Sequence, residues 1–187
     1  MSAYRRIRHP GATVFLTINL VERGEDLLIR HIELLRDVAR RTRADKPFAI
    51  DAWVVLPDHM HCLWTLPEGD ADYSNRVGML KARFSRELRR SGHAPTLDVG
   101  SVGRLGVVAG RDRSGTEKRV GAGPDLHKDE APIWQKRFWE HHIRGEADYR
   151  AHLRYCWINP VKHGLCEHPR DWPYSSYHRD GVADLVL

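Results

Sequence analysis

Two apolar segments separated by a tight polar turn place the strongest constraint on how this chain can fold. Residues 48–56 (FAIDAWVVL) and 60–66 (MHCLWTL) are rich in β-branched, aromatic and aliphatic side chains, which predicts two strands. Pro57 and Asp58, which lie between them, are typical of a turn. Because the connection is so short, the two strands are predicted to pair as an antiparallel hairpin.

One strand and one helix are predicted before the hairpin. Residues 13–20 (TVFLTINL) alternate β-branched and apolar side chains, which is typical of a strand. Residues 26–43 carry apolar side chains at helical spacing, with basic side chains on the other side. The chain therefore enters the hairpin from a strand and a helix.

Helical and extended patterns alternate again after the hairpin. A second helix is predicted from an N-cap at Ser74 to about Arg90. Residues 133–143 (IWQKRFWEHHI) are predicted as a fourth strand, and residues 146–159 as a third helix that Pro160 ends. The complete order is strand, helix, strand, strand, helix, strand, helix.

This order predicts an α+β fold. It matches a ferredoxin-like, split βαβ arrangement, which is an antiparallel sheet with helices on one face. A length of 187 residues suits a single domain spanning residues 1–187. Residues 91–131 contain eight of the fifteen glycines and no apolar periodicity, so they are predicted to form a flexible insertion in that domain.

Charge and cysteine content narrow the class of protein. The formal net charge is +5 and the sequence pI is about 9.3, which is compatible with a nucleic-acid partner. The three cysteines show no paired spacing, which argues against a disulfide framework and favours a reducing compartment. With no signal peptide or apolar span in view, we expect a cytoplasmic protein, associated with the nucleoid and not with a membrane.

A pair of histidines marks the start of the third predicted strand. In a strand, residues two apart point to the same face, so His59 and His61 project together while Met60 points into the core. Two adjacent imidazoles can hold one divalent metal ion. An isolated pair of this kind is also typical of polar residues on an exposed strand face.

A polar row is predicted along the third helix. Asp148, His152, Tyr155 and Asn159 follow one another at spacings of four, three and four, so they share one helical face. Taken alone, a row of this kind more often reflects ordinary amphipathic packing than catalysis. Asn159 precedes Pro160, which disfavours helical geometry at Asn159 and leaves the direction of its side chain open.

Several ordered motifs together resemble a known family. They are PDHMHCLWTLPEG, WQKRFWEHHIR and YRAHLRYCWINPVKHGL, flanked by AYRRIRHPG near the N-terminus and DWPYSSYHRD near the C-terminus. In this order they closely resemble the REP-associated tyrosine transposases, a branch of the single-tyrosine HUH transposases, in which U is an apolar residue. The resemblance covers nearly the whole chain except residues 91–131.

The resemblance implies a reaction and a set of residues. It implies a metal-dependent endonuclease and strand transferase that acts on single-stranded, hairpin-forming DNA through a 5′-phosphotyrosine intermediate. Tyr155 corresponds to the nucleophile, and His59, His61 and Asn159 correspond to the metal ligands. Their donor atoms suit Mg²⁺ or Mn²⁺, although histidines alone would also accept Zn²⁺. The related insertion-sequence enzymes are dimers that exchange their tyrosine helices, but the resemblance to the REP-associated branch implies a monomer, which we expect here.

Basic and aromatic side chains supply candidates for DNA contacts. The basic candidates come from the N-terminal arm, the second helix and the end of the third helix: Arg5, Arg6, Arg76, Lys81, Arg83, Arg86, Arg90 and Lys162. The second helix is also compatible with a merely solvated face. Trp134, Phe138 and Trp139 are candidates to stack on unpaired bases, although Phe138 and at least one tryptophan are expected in the core.

Three questions stay open at this point. One of Glu140, His141 and His142 is a candidate to support the metal ligands, and the sequence does not select among them. The alternative to an active enzyme is a catalytically inactive, domesticated protein that binds DNA hairpins. A third interpretation is a zinc site formed by His59, His61 and Cys62. On a regular strand, however, Cys62 is expected to point away from the two histidines, which argues against this site.

Overall fold

A four-stranded antiparallel sheet forms the centre of the molecule. The computed structural model describes residues 8–93 and 132–179. Its strands are β1 (Thr13–Asn19), β2 (Ala49–Val55), β3 (His59–Thr65) and β4 (Trp139–His142), in the spatial order β2-β3-β1-β4. Every neighbouring pair is antiparallel, and this order is that of a ferredoxin-like sheet, so the predicted fold is confirmed.

Four α-helices and two short 3₁₀ helices, Pro169–Asp171 and Ser176–His178, accompany the sheet in the described ranges. The α-helices are α1 (Leu27–Arg30), α2 (Ile32–Asp45), α3 (Tyr73–Arg90) and α4 (Glu146–Lys162). The first predicted helix is therefore two helices. The N-cap of α3 is Asp72, and not Ser74 as predicted, because the Asp72 carboxylate accepts a hydrogen bond from the Asn75 amide at 3.2 Å. Within these ranges, no helix is long and apolar enough to cross a membrane.

Helix α4 continues through Pro160, contrary to the predicted end at that residue. Proline lacks an N–H group, so the helical hydrogen bond to the Cys156 carbonyl is lost. The loss falls in the last turn, and the His163 amide still donates to the Asn159 carbonyl at 3.0 Å. Asn159 consequently stays on the helix, where it is buried.

The helices occupy both faces of the sheet, and not one face as predicted. Helices α2 and α3 cover one face, where Leu80 and Phe84 share a core with Met60 and Trp64. Helix α4 covers the other face, where Cys156 and Trp157 pack with strand residues including Leu63. The reason is visible in β3, which is buried at six of its seven positions and therefore requires cover on both faces.

The C-terminal segment covers the exposed edge of β2. Ser175 forms an isolated bridge to Val54, and the Trp172 indole N–H donates to the Val55 carbonyl at 2.9 Å. These contacts occupy backbone groups that an edge strand would otherwise present to other chains. Arg5 and Arg6, and residues 94–131 of the predicted insertion, lie outside the described residues.

Candidate active site

His59 and His61 lie side by side on the face of the sheet that α4 covers. Their ring centroids are 5.1 Å apart and both side chains are buried, as the two-residue spacing predicts for a shared face. Met60 and Cys62 point to the opposite face and belong to the core beneath α2 and α3. The zinc site that would combine Cys62 with the two histidines is therefore excluded.

Asp58 fixes the orientation of the His59 ring. The Nδ1 atom of His59 lies 2.5 Å from the Asp58 carboxylate, which also accepts hydrogen bonds from the Gly24 amide and pairs with Arg23. Burial raises the pKa of Asp58, but the hydrogen bonds from His59 and Gly24 outweigh it and the net pKa is lowered. An ionised carboxylate only accepts, so His59 donates through Nδ1 and keeps a free lone pair on Nε2.

His61 is held in a similar way from the neighbouring strand. Its Nδ1 atom lies 2.9 Å from the hydroxyl of Thr17, which is its cross-strand partner. Burial lowers the pKa of His61 to about 3, with the nearby His59 acting in the same direction. Burial likewise lowers the pKa of His59. Both imidazoles are therefore neutral at physiological pH, which is the form that can bind a metal ion.

Asn159 supplies an oxygen beside these nitrogens. Its side-chain N–H group donates to the Tyr155 carbonyl at 3.3 Å, while its buried Oδ1 atom has no hydrogen-bond partner in the described part of the chain. Asn159 is close enough to His61 to act on the pKa of that imidazole, against the effect of burial. A buried amide oxygen without a partner is costly unless a ligand satisfies it. The donor set therefore fits a divalent cation.

Tyr155 lies one helical turn before Asn159 and faces the same site. Its ring centroid is 5.3 Å from that of His61 and 5.7 Å from that of Phe15, and 39% of the residue is exposed. The Lys162 ammonium lies 4.8 Å from the centre of the Tyr155 ring. An accessible phenol, a cation and a buried group of ligand atoms thus meet within a single chain.

Four residues of this site are not among the sequence-based candidates. Asp58 and Thr17 orient the two histidines, and Phe15 contacts both Tyr155 and His61. The ring of His163, just after α4, lies 5.1 Å from that of His59. Asp58 directly precedes His59 in the sequence, and this position could have marked it as a partner of that histidine. The interpretation of Pro57 and Asp58 only as a turn missed this signal.

A second polar cluster borders the site. His141 and His152 both pair with the Asp148 carboxylate, at 2.8 and 3.0 Å, and their rings stack with centroids 4.6 Å apart. The donor atoms of these three residues lie within 4.8 Å of one another. The cross-strand partner of His141 is Phe15, which contacts Tyr155. Of the three candidates Glu140, His141 and His142, His141 is therefore the one that faces the site.

Comparison with known proteins identifies the family. The REP-associated tyrosine transposase of Escherichia coli strain K12 is 41% identical over 185 residues, which cover 99% of this chain and 88% of that protein. The chain belongs to the REP-associated tyrosine transposases. A relative from Haemophilus influenzae with the same family name is 37% identical over 99% of this chain and 90% of its own length. No family model matches the chain.

A solved structure of a REP-associated tyrosine transposase bound to a REP hairpin is also similar. It shares 40% sequence identity with this chain and superimposes with a TM-score of 0.73. The match covers all of this chain and 89% of the solved one. Sequence and fold thus agree on membership of the REP-associated transposases.

Arg76 does not belong among the DNA-binding candidates of this family member. Its side chain is buried, and its guanidinium donates to the Asp70 carboxylate at 2.6 Å and to the Pro47 carbonyl at 2.8 Å. The hydrogen bond from Arg76 is the main reason that the pKa of Asp70 falls to about 2. Arg76 therefore ties α3 to the loops beside it and is unavailable to phosphates.

The other basic residues of α3 lie on the opposite side of the sheet from Tyr155. Arg83 pairs with Asp45 of α2, and Arg90 pairs with Glu87. Lys81 donates to the Gln135 carbonyl at 3.0 Å, while Arg86 is exposed. Of the predicted DNA contacts, Lys162 is the described residue that adjoins Tyr155.

Proposed function

We propose that this chain is a transposase that cuts and rejoins single-stranded DNA beside a REP-type hairpin, with Tyr155 as the nucleophile. The observation that carries the proposal is the convergence of Tyr155, the His59–His61 pair and Asn159 in one chain. The similarity to a transposase solved with a REP hairpin supports the class of DNA. Because no second copy is needed to complete this group, we propose that the monomer is active.

The reaction follows from the chemistry of the phenol. The Tyr155 oxygen bonds to phosphorus while the phosphorus–O3′ bond breaks; the phenol loses a proton and the departing O3′ gains one. The products are a 5′-phosphotyrosine and a free 3′ hydroxyl. A second 3′ hydroxyl can then attack the phosphotyrosine and reverse the step. Covalent attachment to the protein therefore preserves the ability to rejoin strands, which hydrolysis by water would lose.

The residues around Tyr155 suit this reaction. Phenols ionise near pH 10, so a tyrosine nucleophile depends on its surroundings at neutral pH. His59 and His61, through Nε2, and Asn159, through Oδ1, would hold a divalent cation, for which we propose Mg²⁺ or Mn²⁺. When bound, such an ion polarises the phosphate and neutralises charge that develops in the transition state.

Lys162 would add a fixed positive charge beside the phenol. Its ammonium is exposed and lies at the same end of α4 as the ligand atoms. A phosphate that reaches the Tyr155 oxygen would therefore also meet Lys162. We propose that Lys162 helps to hold the phosphate that is attacked. All the groups that the reaction requires are present, so an inactive hairpin-binding protein is not favoured.

The test is a cleavage assay on a labelled oligonucleotide that carries a REP-type hairpin with single-stranded flanks. The wild-type protein with Mg²⁺ or Mn²⁺ should form a covalent DNA adduct that survives denaturing electrophoresis, and a chelator should prevent it. Tyr155→Phe should bind the hairpin but form no adduct, because phenylalanine keeps the ring and lacks the attacking oxygen.

Tyr149→Phe is the matched control. Tyr149 lies on the same helix but packs with the apolar cluster between α4 and the sheet, so its loss should leave the adduct intact. An adduct formed by Tyr155→Phe would overturn the assignment of the nucleophile. Hairpin binding without cleavage by the wild-type protein, in either metal ion, would instead favour an inactive binding protein.

A further inference from the structure

An open cavity adjoins Tyr155 on the side facing the sheet edge formed by β4. Its volume is about 500 Å³, and it also borders one of the proposed metal ligands; its lining residues are Phe15, Thr17, His61, Trp139, Ala151, His152 and Tyr155. This volume lies within the range of about 300–1,000 Å³ that is typical of small-molecule sites. The walls are mostly aromatic, so the cavity suits a flat and weakly polar ligand.

Trp139 stands at the mouth of this cavity with an unusually open indole. It is 54% exposed, although tryptophan is normally largely buried. Its cross-strand partner is Thr17, so the indole lies on the same face of the sheet as His61. The exposed indole borders the aromatic cavity beside the proposed nucleophile, so its face is accessible to a ligand that enters the cavity.

The second polar cluster holds the surroundings of the indole in place. The Trp139 and His141 rings are nearly parallel, with an interplanar angle of 6°, and His141 is in turn within 15° of parallel to His152. Asp148 pairs with both histidines, which restrains their rotation. The hydrogen bond from His141 is the main reason that the pKa of Asp148 is lowered, so the carboxylate stays ionised. These contacts hold the rings of His141 and His152 in one arrangement beside the Trp139 indole.

We propose that this cavity receives one unpaired nucleobase from a nucleotide beside the phosphate that Tyr155 attacks, with the base stacked on Trp139. The inference rests on the proposed function, since it requires single-stranded DNA at Tyr155. Stacking on an aromatic face tolerates any base, because every base has a π-face. The site therefore fixes the position of the strand, and the sequence preference arises elsewhere.

The first test measures stacking directly, without cleavage. In the Tyr155→Phe background, 2-aminopurine is placed in turn at each single-stranded position flanking the cleavage site, and its fluorescence is recorded on binding. One position should be quenched, and Trp139→Ala should remove that quenching. Hairpin affinity should change less than about threefold. Equal fluorescence with and without Trp139 at every position would overturn the proposal.

The second test is a double-mutant cycle with the otherwise unchanged enzyme. Trp139→Ala, and separately an abasic nucleotide at the quenched position, should each lower kcat/KM by about 5- to 150-fold, the range expected for one stacked base. Combined, they should cost little more than either alone, because both remove one contact. Multiplying effects would show that Trp139 acts only on the fold or on another group.

Failure of this inference and failure of the proposed function are distinguishable. If Tyr155 is not the nucleophile, the adduct persists in Tyr155→Phe whatever the fluorescence shows. If the cavity does not take a base, the adduct still depends on Tyr155, but no position of 2-aminopurine responds to Trp139.

Discussion

The two faces of the sheet receive different side chains from the same strand, β3. On one face, Met60 and Trp64 of β3 pack beneath α2 and α3 in a closed apolar core. On the other face, His59 and His61 of the same strand lie beneath α4, beside an accessible tyrosine and an open cavity. One face of the sheet therefore contributes stability, and the other holds the candidate reactive groups on a regular strand and helix.

The largest contrast should appear between neighbouring residues of β3. His61→Ala should lower DNA cleavage by more than about 1,000-fold, since loss of a metal ligand exceeds the 10- to 100-fold cost of losing a group that supports one. Met60→Ala should instead destabilise the fold by about 2–5 kcal/mol, because it empties part of a closed core. Single-turnover cleavage and urea unfolding of both variants measure the contrast. If His61→Ala cleaved DNA at the wild-type rate, the face beneath α4 would not hold the catalytic metal ligands.

Substitution of Arg76 tests whether this buried cation stabilises the fold without contributing to DNA binding. Arg76→Ala should destabilise the protein by about 1–3 kcal/mol, because it leaves the Pro47 carbonyl and the partly exposed Asp70 carboxylate without their donor. DNA affinity, measured on the fraction that is folded, should not change. A variant of unaltered stability that binds DNA more weakly would return Arg76 to the DNA-binding surface.

The buried histidines should make the metal-free protein sensitive to acid. The pKa of His61 is about 3 in the folded state, below the value near 6.5 in the unfolded chain. Between these two pH values, the unfolded chain therefore binds a proton that the folded chain does not bind. Stability should therefore fall as the pH decreases from about 6.5, by up to about 1.4 kcal/mol per pH unit for this histidine.

Urea unfolding at pH 7.0, 6.0 and 5.0 with a chelator measures this slope. His61→Gln, which has no titrating group, should show a shallower decline over the same interval. Parallel slopes for the two proteins would show that His61 is not buried in the neutral form.

The smallest expected effect separates basic residues on the two faces. Lys162→Gln should reduce the slope of log affinity against log salt by about 1, as loss of one phosphate contact does. Arg86→Gln on α3 should change it less, because α3 lies on the face away from Tyr155. Equal changes of the slope in the two variants would show that the bound DNA extends around both faces. That result would support the prediction that the basic residues of α3 contact DNA.

The sequence predicted the ferredoxin-like fold and the shared direction of His59 and His61, because both depend on local periodicity. It did not predict the open cavity at Trp139, because only the packing of α4 on the second face decides which side of β4 stays accessible. Arg76 was misassigned for a similar reason. Its position on a basic helix is local information, whereas its burial depends on Pro47 and Asp70, which lie elsewhere in the chain.

The location of the covalent bond between protein and DNA tests most directly whether Tyr155 is the nucleophile. Adduct formed with a hairpin oligonucleotide is trimmed with nuclease, digested with trypsin and sequenced by tandem mass spectrometry. Cleavage after Arg154 and Lys162 releases residues 155–162 (YCWINPVK), which contain one tyrosine. If Tyr155 is the nucleophile, that tyrosine carries a nucleotide attached through its 5′-phosphate. A nucleotide on the peptide that contains Tyr149, or cleaved DNA with no modified peptide, would contradict it.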